Sequence, residues 1–330
     1  MLQYLVKRFF LGLLTLWVLS MISWVIIELP PGDFVDLYVQ ELIGDMSGSE
    51  LSDMIEAGMR KHYGLDKPSV YRYGKWMWHM LQGDLGMSLE FGLPVTRVIS
   101  ERLLMTVILA VTTAIFAWGL AIPIGIYSAV RQHSPEDYIF TFVGFLGLAV
   151  PDFLLALWLL WVSFAYLGQS VGGLFSPEYM VAPWSFARVW DLISHLWIAS
   201  LVVGTAGTAA LIRVMRANLL DELNRPYVVT ARAKGLPEWR AVMKYPVRMA
   251  LNPLVSTVGY LLPFLISGSI IVSVVLNLPT EGPLLLRALL SEDLFISASI
   301  ILVLGAMTVI GTFLSDILLA LLDPRIRMAG

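Results

Sequence analysis

Residues 103–130 read LLMTVILAVTTAIFAWGLAIPIGIYSAV, without one Asp, Glu, Lys or Arg. A helix that crosses a bilayer needs roughly 20 mainly apolar residues, and this run exceeds that length. Outward from it the pattern repeats. Charge-free stretches cover 9–27, 192–212, 249–280 and 294–315, and 138–177 is interrupted only by Asp152. These stretches predict six transmembrane helices. The third is expected over about 139–165, which would set Asp152 at mid-depth beside the kink-prone Pro151. Composition agrees, with 58% hydrophobic and 14% charged residues and a mean hydropathy of +0.76. Soluble domains carry about 25% charged residues. The expected class is therefore an all-α polytopic membrane protein.

Lys and Arg in short loops set the orientation of such a chain. Lys7 and Arg8 precede span 1, Arg131 follows span 2, and Arg325 and Arg327 lie near the end. After span 4 comes a dense basic set: Arg213, Arg216, Arg225, Arg232, Lys234, Arg240, Lys244 and Arg248. Both termini are expected in the cytoplasm, with 213–251 as the one large cytoplasmic loop. That loop reads as short helices broken at Gly235 and restarted near Pro237-Glu238, because proline suits a helix start and glycine a helix end. Its charge alone has two readings, a docking surface or the accumulation of Lys and Arg that topology brings to any inside loop.

The expected organisation is an anchor over 1–29, an extracytoplasmic cap over 30–100 and a membrane core over 101–330. The Lys7-Arg8 start resembles a signal peptide, but the apolar run is long and the Glu28-to-Asp33 segment lacks a small-residue cleavage site. It reads as an uncleaved anchor. Within the cap, Leu51, Met54, Ile55 and Met59 have helical spacing, as do Tyr73, Trp76, Met77 and Met80. Stabilising and docking roles for the cap remain equally open. Residues 278–293 carry Pro279, Gly282 and Pro283 and read as a re-entrant or surface turn.

Several chemistries are excluded or unsupported. There is no cysteine, so disulfides, thiolate metal sites and cysteine nucleophiles are out. No phosphate loop surrounds Gly74-Lys75, and no Gly-x-Ser-x-Gly elbow occurs. His62, His79, His133 and His195 are scattered, so no metal site is expected. A net charge of -3 argues against nucleic acid. Asp152 is the one deep acid, either lining a pathway together with Pro151 or packing with a hydrogen bond. A secondary transporter would show repeated halves with coupling-ion residues, and a proton-conducting subunit would show a chain of intramembrane charges. Neither pattern is seen. Energy for active transport would have to come from another chain.

Tyr227-Val228-Val229-Thr230-Ala231-Arg232-Ala233-Lys234-Gly235-Leu236 resembles the EAA loop of binding-protein-dependent ABC importer permeases, in its dipeptide/oligopeptide/nickel form. Further matches follow in order along nearly the whole chain. They are Gly64-Leu65-Asp66-Lys67-Pro68, Gly83-Asp84-Leu85-Gly86-Met87-Ser88, Pro94-Val95, Glu101-Arg102-Leu103 with Thr106, Pro151-x-Phe153 and Leu322-Asp323-Pro324-Arg325-Ile326-Arg327. The departures are Val229 for the motif's usual Glu, Leu104 for a proline, Asn252 before Pro253, and Thr280-Glu281-Gly282-Pro283 for a Pro-Gly-Leu-Gly-like turn.

The resemblance implies a type I importer permease fold, with spans 2–6 as the core and span 1 and the cap added. It implies a multi-pass protein of the bacterial inner membrane that is not itself an enzyme. Its implied partners are a second permease (a paralogue is expected), two ATPase subunits carrying ATP and Mg, and a periplasmic binding protein, with membrane lipid around the spans. No cofactor is expected on this chain. Tyr227, Thr230, Ala231, Arg232, Ala233, Lys234 and Gly235 are the implied coupling residues, with the small Ala231 and Ala233 permitting close backbone approach. Arg232 and Lys234 would be available to acids on the ATPase. The implied cargo is a peptide or similar small oligomer; relatives carrying oligosaccharides or nickel chelates keep those alternatives open.

Overall fold

The computed structural model describes residues 2–30, 32–43, 50–167, 172–257 and 270–322. Among them the regular elements are all helical. The chain opens with α1 (Leu2–Glu28), followed by α2 (Phe34–Ile43), α3 (Glu50–Tyr63) and α4 (Ser69–Leu81). Next come α5 (Val95–Val130), α6 (Pro135–Ala149), α7 (Asp152–Val162) and α8 (Phe186–Leu223). Three short helices follow: α9 (Pro226–Ala233), α10 (Glu238–Lys244) and α11 (Pro246–Ser256). The last described elements are α12 (Ile270–Val275), α13 (Glu281–Leu290) and α14 (Leu294–Leu322).

Four of these helices are long and apolar enough to cross a membrane, over Val6–Glu28, Val95–Val130, Phe186–Leu223 and Leu294–Leu319. The bent pair α6–α7 supplies a fifth candidate. The span expected over 249–280 begins in α11 and ends past α12, but 258–269 lie outside the described residues, as does the Asp323–Arg327 stretch.

The third span departs from a straight rod. Val150 precedes Pro151 and is pushed into an extended conformation, φ -82° and ψ 124°. Helix α6 stops there and α7 restarts at Asp152, bent by 101° from it. Asp152 thus opens a second helix instead of sitting midway along one. Sequence signals mark other ends too. Ser134 caps α6 by accepting from the Asp137 amide, Pro135 fills the first turn, and Glu136 and Asp137 complement the helix dipole there. The 38 residues of α8 extend about 57 Å, well beyond a hydrocarbon core of about 30 Å. Arg213 and Arg216 consequently lie on this helix and not in a loop.

The chain forms two compact units. One comprises 9–105 and 280–307, with the cap helices, most of α1, α13 and the first part of α14. Its core joins Trp24, Trp76, Leu294 and Ala298, and a second cluster joins Val95, Ile99, Leu284, Ala288, Ile296 and Ile300. Here 278–293 holds a helix, α13, where a turn was expected: Pro283 sits in its first turn, where proline is tolerated. The other unit comprises 1–8, 106–279 and 308–330, in which α6, α7, α11 and α12 pack on α8.

Candidate coupling and pathway sites

The basic segment after α8 is a helix–turn–helix. Asn224 caps α8, Arg225 is extended, and Pro226 starts α9. The turn closes through the Gly235 amide on the Arg232 carbonyl (2.9 Å) and the Leu236 amide on the Ala231 carbonyl (3.3 Å). Gly235 has φ +79°, the left-handed region that glycine tolerates, and open space surrounds the position its side chain would take. Its constraint is conformational.

Helix α9 has two faces. Val228 and Ala231, three residues apart, are buried. Tyr227, Thr230, Arg232, Ala233, Lys234 and Gly235 are exposed. Ala231 therefore packs inward, and of the two alanines only Ala233 offers its surface to a partner. The Tyr227 hydroxyl donates to Glu222, and burial followed by this acid raises its pKa. Thr230 donates back to the Pro226 carbonyl at 2.9 Å. Arg232 is already engaged: its guanidinium forks onto Glu238 across the turn, Nε to Oε2 at 3.0 Å and an Nη to Oε1 at 2.6 Å. That bond holds the Glu238 carboxyl below its ordinary pKa. Arg232 thus spends its fork within the joint, whereas Lys234 has no ion pair among the described residues.

Beside the turn an open groove of about 560 Å³ is lined by Gly235, Leu236, Pro237, Trp239, Met243 and Lys244, among others. Trp239 is 65% exposed on it. Behind the groove the chain is anchored. Val242 of α10 and Val247, Ala250 and Leu254 of α11 share a core with Leu211, Met215 and Leu219 of α8 and Ala117, Ala121 and Ala129 of α5. At Gly125 an added Cβ would lie 2.7 Å from the Met215 Cβ, so glycine permits the close approach of α5 and α8.

A second assembly, absent from the sequence reading, lies nearby. Asp137 is 2% exposed. Its carboxylate accepts two bonds of 2.8 Å from Arg216, one from the Ser128 hydroxyl and one of 2.9 Å from the His133 amide. Four segments meet at one carboxylate: the end of α5, the 131–134 connection, the start of α6 and α8. The helix-start pattern Ser134-Pro135-Glu136-Asp137 signals a cap, but nothing local signals an arginine far along the chain.

Asp152 is half-buried at the α6–α7 break and Pro151 is exposed; Asp152 has no ion pair among the described residues. In the other unit, Arg60 binds Asp33, Asp36 and Glu56, which ties α2 to α3. Asp293 accepts from the Ser88 hydroxyl (2.7 Å) and the Leu89 and Glu90 amides, pinning the Gly83–Ser88 motif to the start of α14. Glu281, at the start of α13, is fully buried, and burial pushes its pKa up to about 7.

Several helices long and apolar enough to cross a membrane, with an anchored helix–turn–helix between them in sequence, define a multi-pass membrane component. Residues 121–328 match the family described as binding-protein-dependent transport system inner membrane component, and the chain belongs to that family. It is 34% identical over 331 residues to the oligopeptide transport system permease protein AppB of Bacillus subtilis, covering 99% of this chain and 100% of the relative. The oligopeptide transport system permease protein OppB of Mycobacterium tuberculosis is 31% identical over 277 residues, 81% of this chain and 83% of the relative. The glutathione transport system permease protein GsiC of Escherichia coli is 30% identical over 328 residues, 99% of each chain. The chain is thus a permease component of an importer and not itself catalytic.

Proposed function

We propose that this chain forms half of the pathway through which an ATP-driven importer carries peptides delivered by a periplasmic binding protein, its α9 being the coupling helix. The cargo reading rests on relatives that are named for oligopeptide and glutathione transport. The second permease is a paralogue, and two ATPase subunits bind ATP and Mg below the pair. The observation that carries the coupling assignment is the joint itself. Its outer face is exposed, its inner face is buried at Val228 and Ala231, and the returning helices α10 and α11 share a core with α5 and α8. A push on such a joint moves the spans instead of being absorbed by a loose loop.

Both termini lie on the cytoplasmic side in this reading. That the two ends share one side is supported by the ion pair between Arg8, near the start of α1, and Asp316, near the end of α14, at 3.0 Å. Asp152 and Pro151 line the pathway at the helix break. The test is Gly235→Trp. A left-handed residue strains an L side chain by about 1–2 kcal/mol, and the indole would fill the mouth of the groove. The expected result is an assembled membrane protein whose ATPase no longer drives uptake, or which has lost the ATPase. Normal peptide uptake with normal stimulation of ATP hydrolysis would overturn the assignment.

A further inference from the structure

Helix α4 presents three faces, and only two are accounted for within its unit. One packs inward: Trp76 is buried with Trp24, Leu294 and Ala298, and Tyr73 and Met77 lie against the same cluster together with Leu302. A second is polar, with Arg72 paired to Glu28, His79 beside Asp84 at 3.7 Å, and Lys75 exposed between them. The third carries Val70, Tyr71, Gly74, Trp78 and Leu81. Its four side chains are 60–82% exposed, and nothing lies within 4 Å of the place a Gly74 side chain would occupy.

The depth of this helix follows from its partners. The hydroxyls of Tyr73 and Ser20 share a hydrogen bond of 2.8 Å. Ser20 precedes Glu28, the last residue of span 1, by two turns of helix, so the contact lies roughly 12 Å below the end of that span. Leu302 stands about as far beyond Leu294, where α14 begins, and it contacts the same cluster. Helix α4 therefore runs beside the terminal parts of two apolar spans. The neighbouring part of α1 likewise exposes apolar side chains at Met21, Ile22, Val25 and Ile26. An apolar face with Trp and Tyr, next to a basic polar face, is what the boundary between headgroups and acyl chains accommodates, and Lys75 is long enough to reach the headgroups from it.

We propose that α4 is a membrane-interfacial helix whose Val70, Tyr71, Gly74, Trp78 and Leu81 face is covered by lipid acyl chains, in the leaflet on the Glu28 side of span 1. The cap is in this way seated in the bilayer along one edge, and α4 anchors it there. The inference needs only that α1 crosses the membrane; it is independent of the coupling assignment and of which side Glu28 faces.

The chain has no cysteine to remove, so single cysteines at Val70, Trp78 and Leu81, with Lys75 and Ile22 as references, can each carry a bimane. The labelled full chain, purified with the subunits that assemble with it, is placed in vesicles of phosphatidylcholine with brominated acyl chains, and separately exposed to iodide. Ile22 reports on span 1 and must be quenched by the brominated lipid, which keeps a failure of the spanning assignment separate. The expected result is bromolipid quenching at Val70, Trp78 and Leu81 at least several-fold stronger than at Lys75, with iodide in the reverse order. Strong iodide quenching at all four cap positions would mean a water-facing surface and overturn the proposal. Protection from both quenchers would mean that another subunit covers the face, with the same consequence. Should Trp78→Cys fail to assemble, Val70→Cys and Leu81→Cys carry the same test.

Discussion

Removing Asp137 should be among the most damaging single changes to the α5–α6–α8 assembly, and the structure gives its size. The side chain is 3% exposed and that of Arg216 26%. Asp137→Ala deletes the acceptor for two charge-assisted bonds from Arg216 and leaves the Ser128 hydroxyl and His133 amide without it. Breaking a buried pair by removing one partner costs about 3–5 kcal/mol; because Arg216 keeps some access to water, the lower end, about 3 kcal/mol, is expected. Arg216→Ala should also cost about 3 kcal/mol, since it strands the more deeply buried carboxylate with only its Ser128 and His133 donors. The double variant should cost about 3 kcal/mol, leaving a coupling of about 3 kcal/mol between the two sites. Titrating the four detergent-solubilised proteins with SDS and following tryptophan fluorescence measures the cycle. If the two single losses add to within about 0.5 kcal/mol, the pair is not a unit and Arg216 does not hold Asp137 at the start of α6.

Three further expectations follow from the same geometry. Arg232→Ala removes an exposed ion pair with Glu238, so it should cost only about 0–1 kcal/mol and leave uptake near wild type; a loss as large as that of Asp137→Ala would assign Arg232 a contact outside this chain. A cysteine at Lys234 should resist a membrane-impermeant maleimide in intact cells and react once the membrane is opened, and labelling from outside would reverse the orientation. Burial raises the Glu281 pKa from 4.5 to about 7. A raised carboxyl favours the folded state while protonated, so stability should fall as pH rises from about 5 to 8, by up to about 3 kcal/mol. Glu281→Gln should flatten that slope, and unfolding at pH 5.5 and 8 compares the two.

What was readable in the sequence and what was not separate along physical lines. The cap helices α3 and α4 form where the spacing of Leu51–Met59 and Tyr73–Met80 predicts them; on α3 Ile55 and Met59 pack on the core of the unit, whereas Met54 is exposed. The turn at Gly235 and the restart after Pro237 are chain punctuation, which acts locally. Hydropathy was a poorer guide to helix ends: α5 starts at Val95, before the charge-free run, since Arg97, Glu101 and Arg102 lie on the same helix. Charge marks where the bilayer stops, and a helix is free to continue past it. Pro151 marked a kink at 150–151 but not its size, because a straight span and a pair bent by 101° have the same hydropathy. Prolines misled at 278–293, where they begin a helix. The two alanines of α9 look alike in sequence and face opposite ways, which only the position of Val228 decides. Asp137 and Arg216 meet through tertiary packing alone, for which no periodicity exists to read.

Asp152 is tied to the α9–α10 joint, proposed above to be the coupling element, by a chain of contacts within one unit. Helix α9 is joined to α8 through Asn224 and Arg225, and α10 and α11 return to pack on α8, so both ends of the joint are held by the same long helix. Displacing α9 must either move α8 or strip Val242, Val247 and Leu254 from Met215 and Leu219, at about 1.5–3 kcal/mol for each large side chain exposed. If α9 is displaced with that core kept intact, α8 moves with it. Arg216 of α8 then carries Asp137, and with it the start of α6, through a forked bond that resists shear. The far end of α6 is the 101° break at Val150 and Pro151, where Asp152 opens the next helix. On this path the carboxylate stands at the receiving end and not in the drive. Asp152→Asn, with nearly the same shape and no charge, should therefore alter uptake of peptides while assembly and ATPase stimulation stay at wild-type levels. Uptake assays in cells and ATP hydrolysis in proteoliposomes measure the two separately. Equal loss of both would place Asp152 in the transmission path itself, and no change in either would remove it from the pathway.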